Sequence, residues 1–282
     1  MKNTTVAGIT YSKPTVVLLQ ETGIGVAEIA ARTCYDSFES SENECIKHFD
    51  PIVDDDLEIY QINHIKHSNL LDTLSWTYFH HSILEHANLS FLIRGTSRGV
   101  LQEHARHRIQ AISVRSTRYT MSSIINIFIA SMYSTKGFEF FCTNIKKLNM
   151  FVVTDETEDL EVEQLYFKLK HQLKIIGQKE FLDLSMSKSA KEHTVWLSDV
   201  EADDLLLALN TSKAKRNVGD NFKWCVTDNW KVDMIVTFNL RSLKNYFTLR
   251  DSGAAFFGIQ WLAQAMKEVT PQKYLDLIVK GN

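Results

Sequence analysis

Six of the ten arginines in this chain fall within 25 consecutive residues. They are Arg94, Arg98, Arg106, Arg108, Arg115 and Arg118. Like charges this close repel one another, so the fold must either leave them in solvent or arrange them around an anion. The formal net charge of the chain is −3, and nothing global therefore suggests binding to nucleic acid. The cluster predicts a local anion site; the alternative is an exposed basic helix paired with the acidic segment 155–163.

Composition favours a folded, helix-rich protein. Of the 282 residues, 44% are hydrophobic and only three are prolines. We predict an α/β (α+β) fold in a single compact domain, 1–282, with a mixed, largely antiparallel sheet flanked by helices. Its core is expected at 5–121 and 215–265, with a helical middle portion at about 122–214. The four scattered cysteines and the lack of a long apolar run indicate a cytoplasmic protein, with no membrane partner and no metal.

Local patterns predict individual elements. Strands are expected at 5–11 and 87–95, helices at 16–35, 57–79, 97–107, about 162–183 and about 198–209, and a loop that starts a helix at 36–56. Ser97 is the expected N-cap of the helix at 97–107.

The segment Arg106-His107-Arg108 is followed after seven residues by Ser116-Thr117-Arg118. Guanidinium groups, hydroxyls and free backbone N–H groups are the donors that phosphates need. If the region is one helix, Arg94, Arg98 and Arg106 share a stripe. These residue types favour an oxyanion ligand.

A second cluster surrounds Asn239, Arg241, Asn245 and Arg250. On a helix, Asn239 and Arg250 share a face with Leu243 and Tyr246, and Arg241 and Asn245 are neighbours four residues apart. Polar groups in such an apolar segment need partners, which are either an internal ion pair or a ligand.

The third cluster is HHSILEH, residues 80–86. Its spacing is not that of a known zinc motif, so we do not expect a metal. Glu85 and His86 are expected to form a structural pair, which leaves His80 and Ser82 as groups that line a site.

Together these clusters resemble the flavin-dependent thymidylate synthases. The family signature is RHR, seven residues, then Ser, as at Arg106–Ser116. HSxxEH precedes it at 81–86, NxRSxxNxxxLR follows at 239–250, and ARTCY at 31–35 is similar to the family's first helix. The resemblance covers 5–121 and 215–265.

The resemblance implies a flavin-dependent reductive methylation of dUMP to dTMP, with FAD as cofactor and methylenetetrahydrofolate and NADPH as co-substrates. It also implies a homotetramer whose sites combine several subunits, so the clusters need not meet within one chain. Residues implied to bind the cofactor are Ser82, Arg106, His107, Arg108, Asn239, Leu240, Arg241, Asn245 and, on the folate-facing side, His80. Residues implied to bind the nucleotide are Glu103, Arg106, Arg115, Ser116, Thr117, Arg118, Lys223 and Arg250. Arg250 is implied to be catalytic, since it lies against the uracil ring.

Two other functions are alternatives to this one. The same fold and flavin can transfer a different one-carbon group, such as hydroxymethyl. A nucleic-acid-binding module predicts aromatic residues among the arginines, and residues 94–118 contain none.

The chain differs from the family pattern at three positions. Glu103 stands where many members have Gln, and Val114 where many have Glu or Gln. Lys223 stands where a phosphate-contacting arginine is expected, so its cation lacks the planar fork.

Overall fold

The computed structural model describes residues 2–48, 65–132, 134–184, 220 and 223–280. Two units divide the chain between them. The first comprises Met1–Lys2, Lys13–Val114 and Val232–Asn282, and the second Asn3–Ser12 and Arg115–Lys231. The second unit contains the whole segment 122–214. The prediction of one domain over 1–282 stays a prediction.

Helices and strands are mixed along the chain, as predicted. The strands are β1 Asn3–Val6, β2 Ile9–Ser12, β3 Thr15–Glu21, β4 Asn88–Ser97, β5 Ala111–Val114 and β6 Lys231–Asn239. The helices are α1 Gly25–Tyr35, α2 Glu44–Lys47, α3 Asn69–Asp72, α4 Arg98–His104, α5 Thr117–Met132, α6 Gly137–Lys147, α7 Glu156–Leu184, α8 Leu240–Arg250, α9 Phe257–Val269 and α10 Gln272–Ile278. Within the described residues, no helix is long and apolar enough to cross a membrane.

A four-stranded sheet forms the centre of the first unit, in the order β3-β4-β6-β5. β3 pairs antiparallel with β4, and β5 pairs antiparallel with β6. Alternate residues of β4 (Leu89, Phe91, Ile93) are fully buried, as are Val236 and Phe238 of β6. They pack in one apolar core with α1, α8, α9 and α10, and each such side chain contributes roughly 1.5–3 kcal/mol on burial.

The N-terminal segment differs from the sequence prediction at two places. Residues 5–11 are a hairpin rather than one strand, because Ala7 and Gly8 adopt positive φ angles of 51° and 86° and reverse the chain. Residues 16–35 are β3 followed by α1 rather than one helix. Gly23, at a φ of 77°, ends the extended segment before α1 begins.

The segment that leads to the arginine cluster follows its prediction more closely. The strand at 87–95 is confirmed as β4, and the Ser97 side chain caps α4 by accepting a hydrogen bond from the Val100 N–H. The shared stripe is wrong, however. Arg94 lies on β4 and Arg106 lies beyond the end of α4, so no single helix carries both.

Other predicted helices are partly confirmed. The helix near 162–183 lies within α7, which is longer. Of the predicted helix at 57–79, the part after residue 68 is α3 followed by a single π-helical turn, Thr73–Thr77. Residues 49–64, including the end of the loop expected at 36–56, and the predicted helix at 198–209 lie outside the described residues.

In the second unit, an aromatic cluster joins the helices α5, α6 and α7. The rings of Phe128, Phe141 and Tyr166 contact one another at centroid distances of 5.1–6.0 Å. A 3-10 turn, Lys223–Cys225, contacts both α5 and α7. This turn places Lys223 near the helix that begins at Thr117.

Candidate active site

A cavity of about 920 Å³ in the first unit brings the two arginine motifs together. One wall is the turn after α4, with Arg106, His107 and Arg108, and the other is α8. The sequence did not require the two motifs to meet within one chain, but they do. The remaining lining residues are His81, Glu85, Ile109, Arg241, Ser242, Lys244, Asn245, Thr248, Leu249 and Arg250.

Helix α8 presents a polar face to this cavity because its apolar residues pack in the core on the other side. Leu243 and Phe247 are buried, while Arg241, Lys244 and Thr248 follow helical spacing on the cavity side. The Asn239 side chain fixes the start of the helix by accepting a hydrogen bond of 2.8 Å from the Ser242 N–H.

The turn after α4 is held by one glutamine. Gln110 Nε2 donates to the backbone carbonyls of His107, at 2.7 Å, and His104, at 3.1 Å. These bonds satisfy carbonyls at the end of α4 and close the turn. The turn thereby presents the side chains of residues 106–108 to the cavity.

The Arg250 guanidinium joins the two walls through three hydrogen bonds. Its Nε donates to His107 Nε2 at 2.8 Å, and its Nη1 donates to Glu103 Oε2 at 2.9 Å. Its Nη2 donates to the Glu103 carbonyl at 3.2 Å. A guanidinium has five N–H donors, so two remain for a ligand in the cavity.

Two histidines beneath this junction are held neutral. Burial lowers the pKa of His104 to about 4, and burial together with the nearby Arg250 and Arg106 lowers the pKa of His107 to about 4. Neutral His107 can accept the hydrogen bond from Arg250, whereas its protonated form cannot. The His107 ring also packs edge-on against Tyr246, whose hydroxyl lies 3.1 Å from His104 Nδ1.

The lining of the cavity is strongly cationic. Arg106, Arg108, Arg241, Lys244 and Arg250 carry positive charge there, and Glu85 is the lining carboxylate. Glu85 binds Arg241 rather than forming the expected pair with His86. Among the described residues, neither Arg108 nor Lys244 has a carboxylate within 4.0 Å. The positive charge of the lining is therefore not balanced by these residues, which favours an anionic ligand.

Lys244 was not among the residues predicted from the sequence. Its Nζ lies 3.2 Å from the Ser75 carbonyl and from His81 Nε2, and 3.5 Å from the centre of the Trp76 ring. Burial lowers the pKa of Lys244 to about 8. A helical projection would have found it, since Lys244 lies three residues after Arg241 on the same face.

Several predicted residues lie outside the lining of this cavity. His80 and Ser82 are exposed in and before the 3-10 turn His81–Glu85, Leu240 is fully buried in the core, and Asn239 serves as the helix cap. Arg115, Ser116, Thr117, Arg118 and Lys223 belong to the second unit.

In the second unit, Ser116 directly precedes α5 and Thr117 is its first residue. Lys223 Nζ lies 3.3 Å from Asp220 Oδ1. Val114, the last residue of β5, is 37% exposed.

No group of three metal-ligating side chains occurs within the part of the chain that the structure describes. In the HHSILEH segment, Glu85 binds Arg241, and His81 Nε2 lies 3.1 Å from the Ser75 carbonyl.

Known proteins are similar to this chain in sequence and in fold. The family model "Thymidylate synthase complementing protein" (Thy1) matches residues 17–274. A flavin-dependent thymidylate synthase of Campylobacter jejuni is 28% identical over 260 residues, which is 92% of this chain and 93% of the relative. One from Wolinella succinogenes is 27% identical over 92% of this chain and 95% of the relative.

A crystal structure of thymidylate synthase X (ThyX) from Helicobacter pylori with FAD and dUMP is also similar. It is 25% identical and has a TM-score of 0.57 over 94% of this chain and 97% of that one. Since the family match spans nearly the whole chain, this protein belongs to the Thy1 family, the family of the flavin-dependent thymidylate synthases.

The lowered pKa values of His104 and His107 predict that the folded protein becomes less stable in acid. The ordinary histidine pKa is about 6.5, so between pH 6.5 and 4 the unfolded chain binds more protons than the folded one. The free energy of unfolding should therefore fall as the pH is lowered through this window, and the contribution of the histidines is complete above it.

Urea unfolding of the wild type between pH 7 and pH 4.5 measures this slope. His107→Gln should flatten it, whereas His48→Gln, at an exposed histidine, should leave it unchanged. Equal slopes for all three proteins would contradict the assignment.

Proposed function

We propose that this chain catalyses the flavin-dependent reductive methylation of dUMP to dTMP, with methylenetetrahydrofolate as carbon donor and NADPH as reductant. The observation that carries the proposal is the cationic cavity in which the Arg106–Arg108 turn and α8 meet. Membership of the Thy1 family and the relatives named above support it.

The lining of the cavity fits FAD, which carries two linked phosphates. Arg106, Arg108 and Arg241 supply guanidinium forks suited to phosphate oxygens, and Lys244 adds a further cation. A volume of about 920 Å³ is large enough for a cofactor. When bound, FAD supplies the redox chemistry of the reaction.

The residues of the chain bind the cofactor and the nucleotide, orient them and polarise the uracil ring. Arg108 and Arg241 hold the cofactor, together with Asn245 on the same face of α8. The two unused N–H donors of Arg250 face a ligand in the cavity and stabilise negative charge that develops on the uracil ring. Neutral His107 keeps the guanidinium oriented.

We assign the dUMP phosphate to the second unit, at Ser116, Thr117, Arg118 and Lys223. Ser116 and Thr117 stand at the start of α5, where backbone N–H groups and the helix dipole favour an anion. The turn that carries Lys223 contacts the same helix. Arg115 is a candidate nucleotide contact through the family resemblance alone, which implies the same role for Glu103.

We also propose a homotetramer in the cytoplasm, with sites shared between subunits. The face of the sheet opposite the core leaves Val17, Leu19 and Ile235 at 51%, 52% and 45% exposure, and a second copy of this chain would cover them. His80 and Ser82, which lie outside the cavity lining, would then serve the site of a neighbouring subunit.

Light scattering tests this assembly. We expect a mass of about 130 kDa, four times 32.4 kDa, and a smaller mass for Ile235→Glu because a buried carboxylate disfavours the interface. Leu160→Glu, at an exposed leucine of the second unit, is the control. A wild-type chain that is monomeric at micromolar concentration would overturn the proposal.

The activity is tested with purified chain and FAD. We expect a yellow protein whose flavin spectrum bleaches under NADPH without air, and a nucleotide product with the mass of dTMP. A hydroxymethylated product would establish the alternative one-carbon transfer. Failure to bind FAD at all would refute the proposal.

Arg108→Ala should weaken FAD retention, because it removes a cation that has no carboxylate partner among the described residues and is free for phosphate. A charge-assisted hydrogen bond is worth roughly 1.5–3 kcal/mol, or about 10- to 150-fold in Kd. The measurement is flavin occupancy after gel filtration and Kd by fluorescence titration. Arg98→Ala, an arginine of the same cluster outside the cavity, should retain FAD. Equal occupancy in both variants would contradict the assignment.

Arg250→Lys should form dTMP about 100-fold more slowly or worse, because lysine keeps the charge and loses the preorganised fork. NADPH oxidation by the bound flavin should persist, since that half-reaction does not involve the pyrimidine. Both rates are measured at saturating dUMP. Wild-type dTMP formation would make Arg250 a structural residue.

A further inference from the structure

We infer that Glu103 is a positioning residue which fixes Arg250 for its work in the cavity, rather than a group that contacts the nucleotide. The inference rests on the proposed function and concerns a position where this chain departs from its family, since many members carry Gln there. It assigns to Glu103 a role that differs from the one implied by the resemblance.

Glu103 holds both terminal nitrogens of the Arg250 guanidinium. Its carboxylate accepts from Nη1 at 2.9 Å and its own backbone carbonyl accepts from Nη2 at 3.2 Å. The side chain of Arg250 is 16% exposed and that of Glu103 is 34% exposed, so the pair is partly shielded from water. With Nε bound to His107, the plane of the guanidinium is fixed at three points.

The two carboxylate oxygens of Glu103 have different partners. Oε2 binds Arg250, and Oε1 lies 3.5 Å from Arg106 Nη1. A single anion thus lies between two cations of the cavity lining that would otherwise repel each other. Each carboxylate oxygen of Glu103 therefore already has an arginine of this chain as its partner.

The chemistry of a carboxylate also argues against a nucleotide contact. A glutamine amide can donate to a uracil carbonyl, whereas an ionised carboxylate only accepts hydrogen bonds. A fixed negative charge directly against a ring that gains negative charge would oppose the reaction. When the Glu103 carboxylate binds Arg250 instead, its charge orients the guanidinium, and the arginine faces the uracil ring.

The decisive experiment compares Glu103→Ala with Glu103→Gln. The alanine variant removes the carboxylate that binds Arg250 Nη1 and keeps the backbone carbonyl that binds Nη2. We therefore expect kcat for dTMP formation to fall about 10- to 100-fold, as for a misplaced catalytic group. KM for dUMP should change by less than about 3-fold, since uniform binding is retained. Glutamine keeps an acceptor for Nη1 and should restore kcat to within about 3-fold of the wild type.

A second measurement does not depend on activity. The imidazole 15N shifts of His107 report whether Nε2 accepts a hydrogen bond, with His107→Gln used to assign the signal. The signal should move in Glu103→Ala and stay at its wild-type position in Glu103→Gln. Glu139→Ala, at an exposed glutamate of α6 that pairs with Lys136, is the matched control and should change neither kcat nor the signal.

Two results would overturn the inference. A rise in KM for dUMP with unchanged kcat in Glu103→Ala would show a direct nucleotide contact. Wild-type kcat together with an unmoved His107 signal in that variant would show no positioning role. If the wild-type chain forms no dTMP, the proposed function fails, and the His107 signal alone decides whether Glu103 fixes Arg250.

Discussion

The site depends on one guanidinium that links two distant parts of the sequence. Arg250 contacts Glu103 and His107, which lie 147 and 143 positions away from it. Three of its five N–H donors bind Glu103 and His107, and these bonds fix the direction of the other two. The guanidinium is therefore oriented before a ligand binds. Preorganisation of this kind avoids the cost of reorienting dipoles during the reaction.

Neutral, buried groups beneath this guanidinium make the arrangement possible. Tyr246 lies one helical turn before Arg250, and its ring packs against both His104 and His107. The apolar surroundings, including Phe238, keep both imidazoles uncharged. A charged imidazole there would repel the arginine, so the core of the first unit determines the electrostatics of the cavity as well as its shape.

The polar motifs could be predicted from the sequence. The elements that depend on tertiary contacts could not. Part of the cavity face of α8 was predictable, because Arg241 and Asn245 are four residues apart on a helix and both line the cavity. The segment around Val16 and Leu18 has apolar residues at spacings that suit either a helix or a strand, and only its pairing with β4 decides for the strand. Glu103 was recognised as a departure from the family, but its bond to Arg250 depends on a packing of α4 against α8 that no local pattern encodes.

Helix α10 has a consequence for the order of assembly. Ser75 Oγ and Trp76 Nε1, beside Lys244, donate to the carbonyls of Leu277 and Asp276, and the Gly23 N–H donates to Tyr274 Oη. These contacts join positions that are 200 to 251 residues apart. During synthesis the early strands and turns emerge long before their partners. The wall of the cavity near Lys244 therefore lacks these hydrogen bonds until residues 272–278 have been synthesised, long after the strands and turns that they hold.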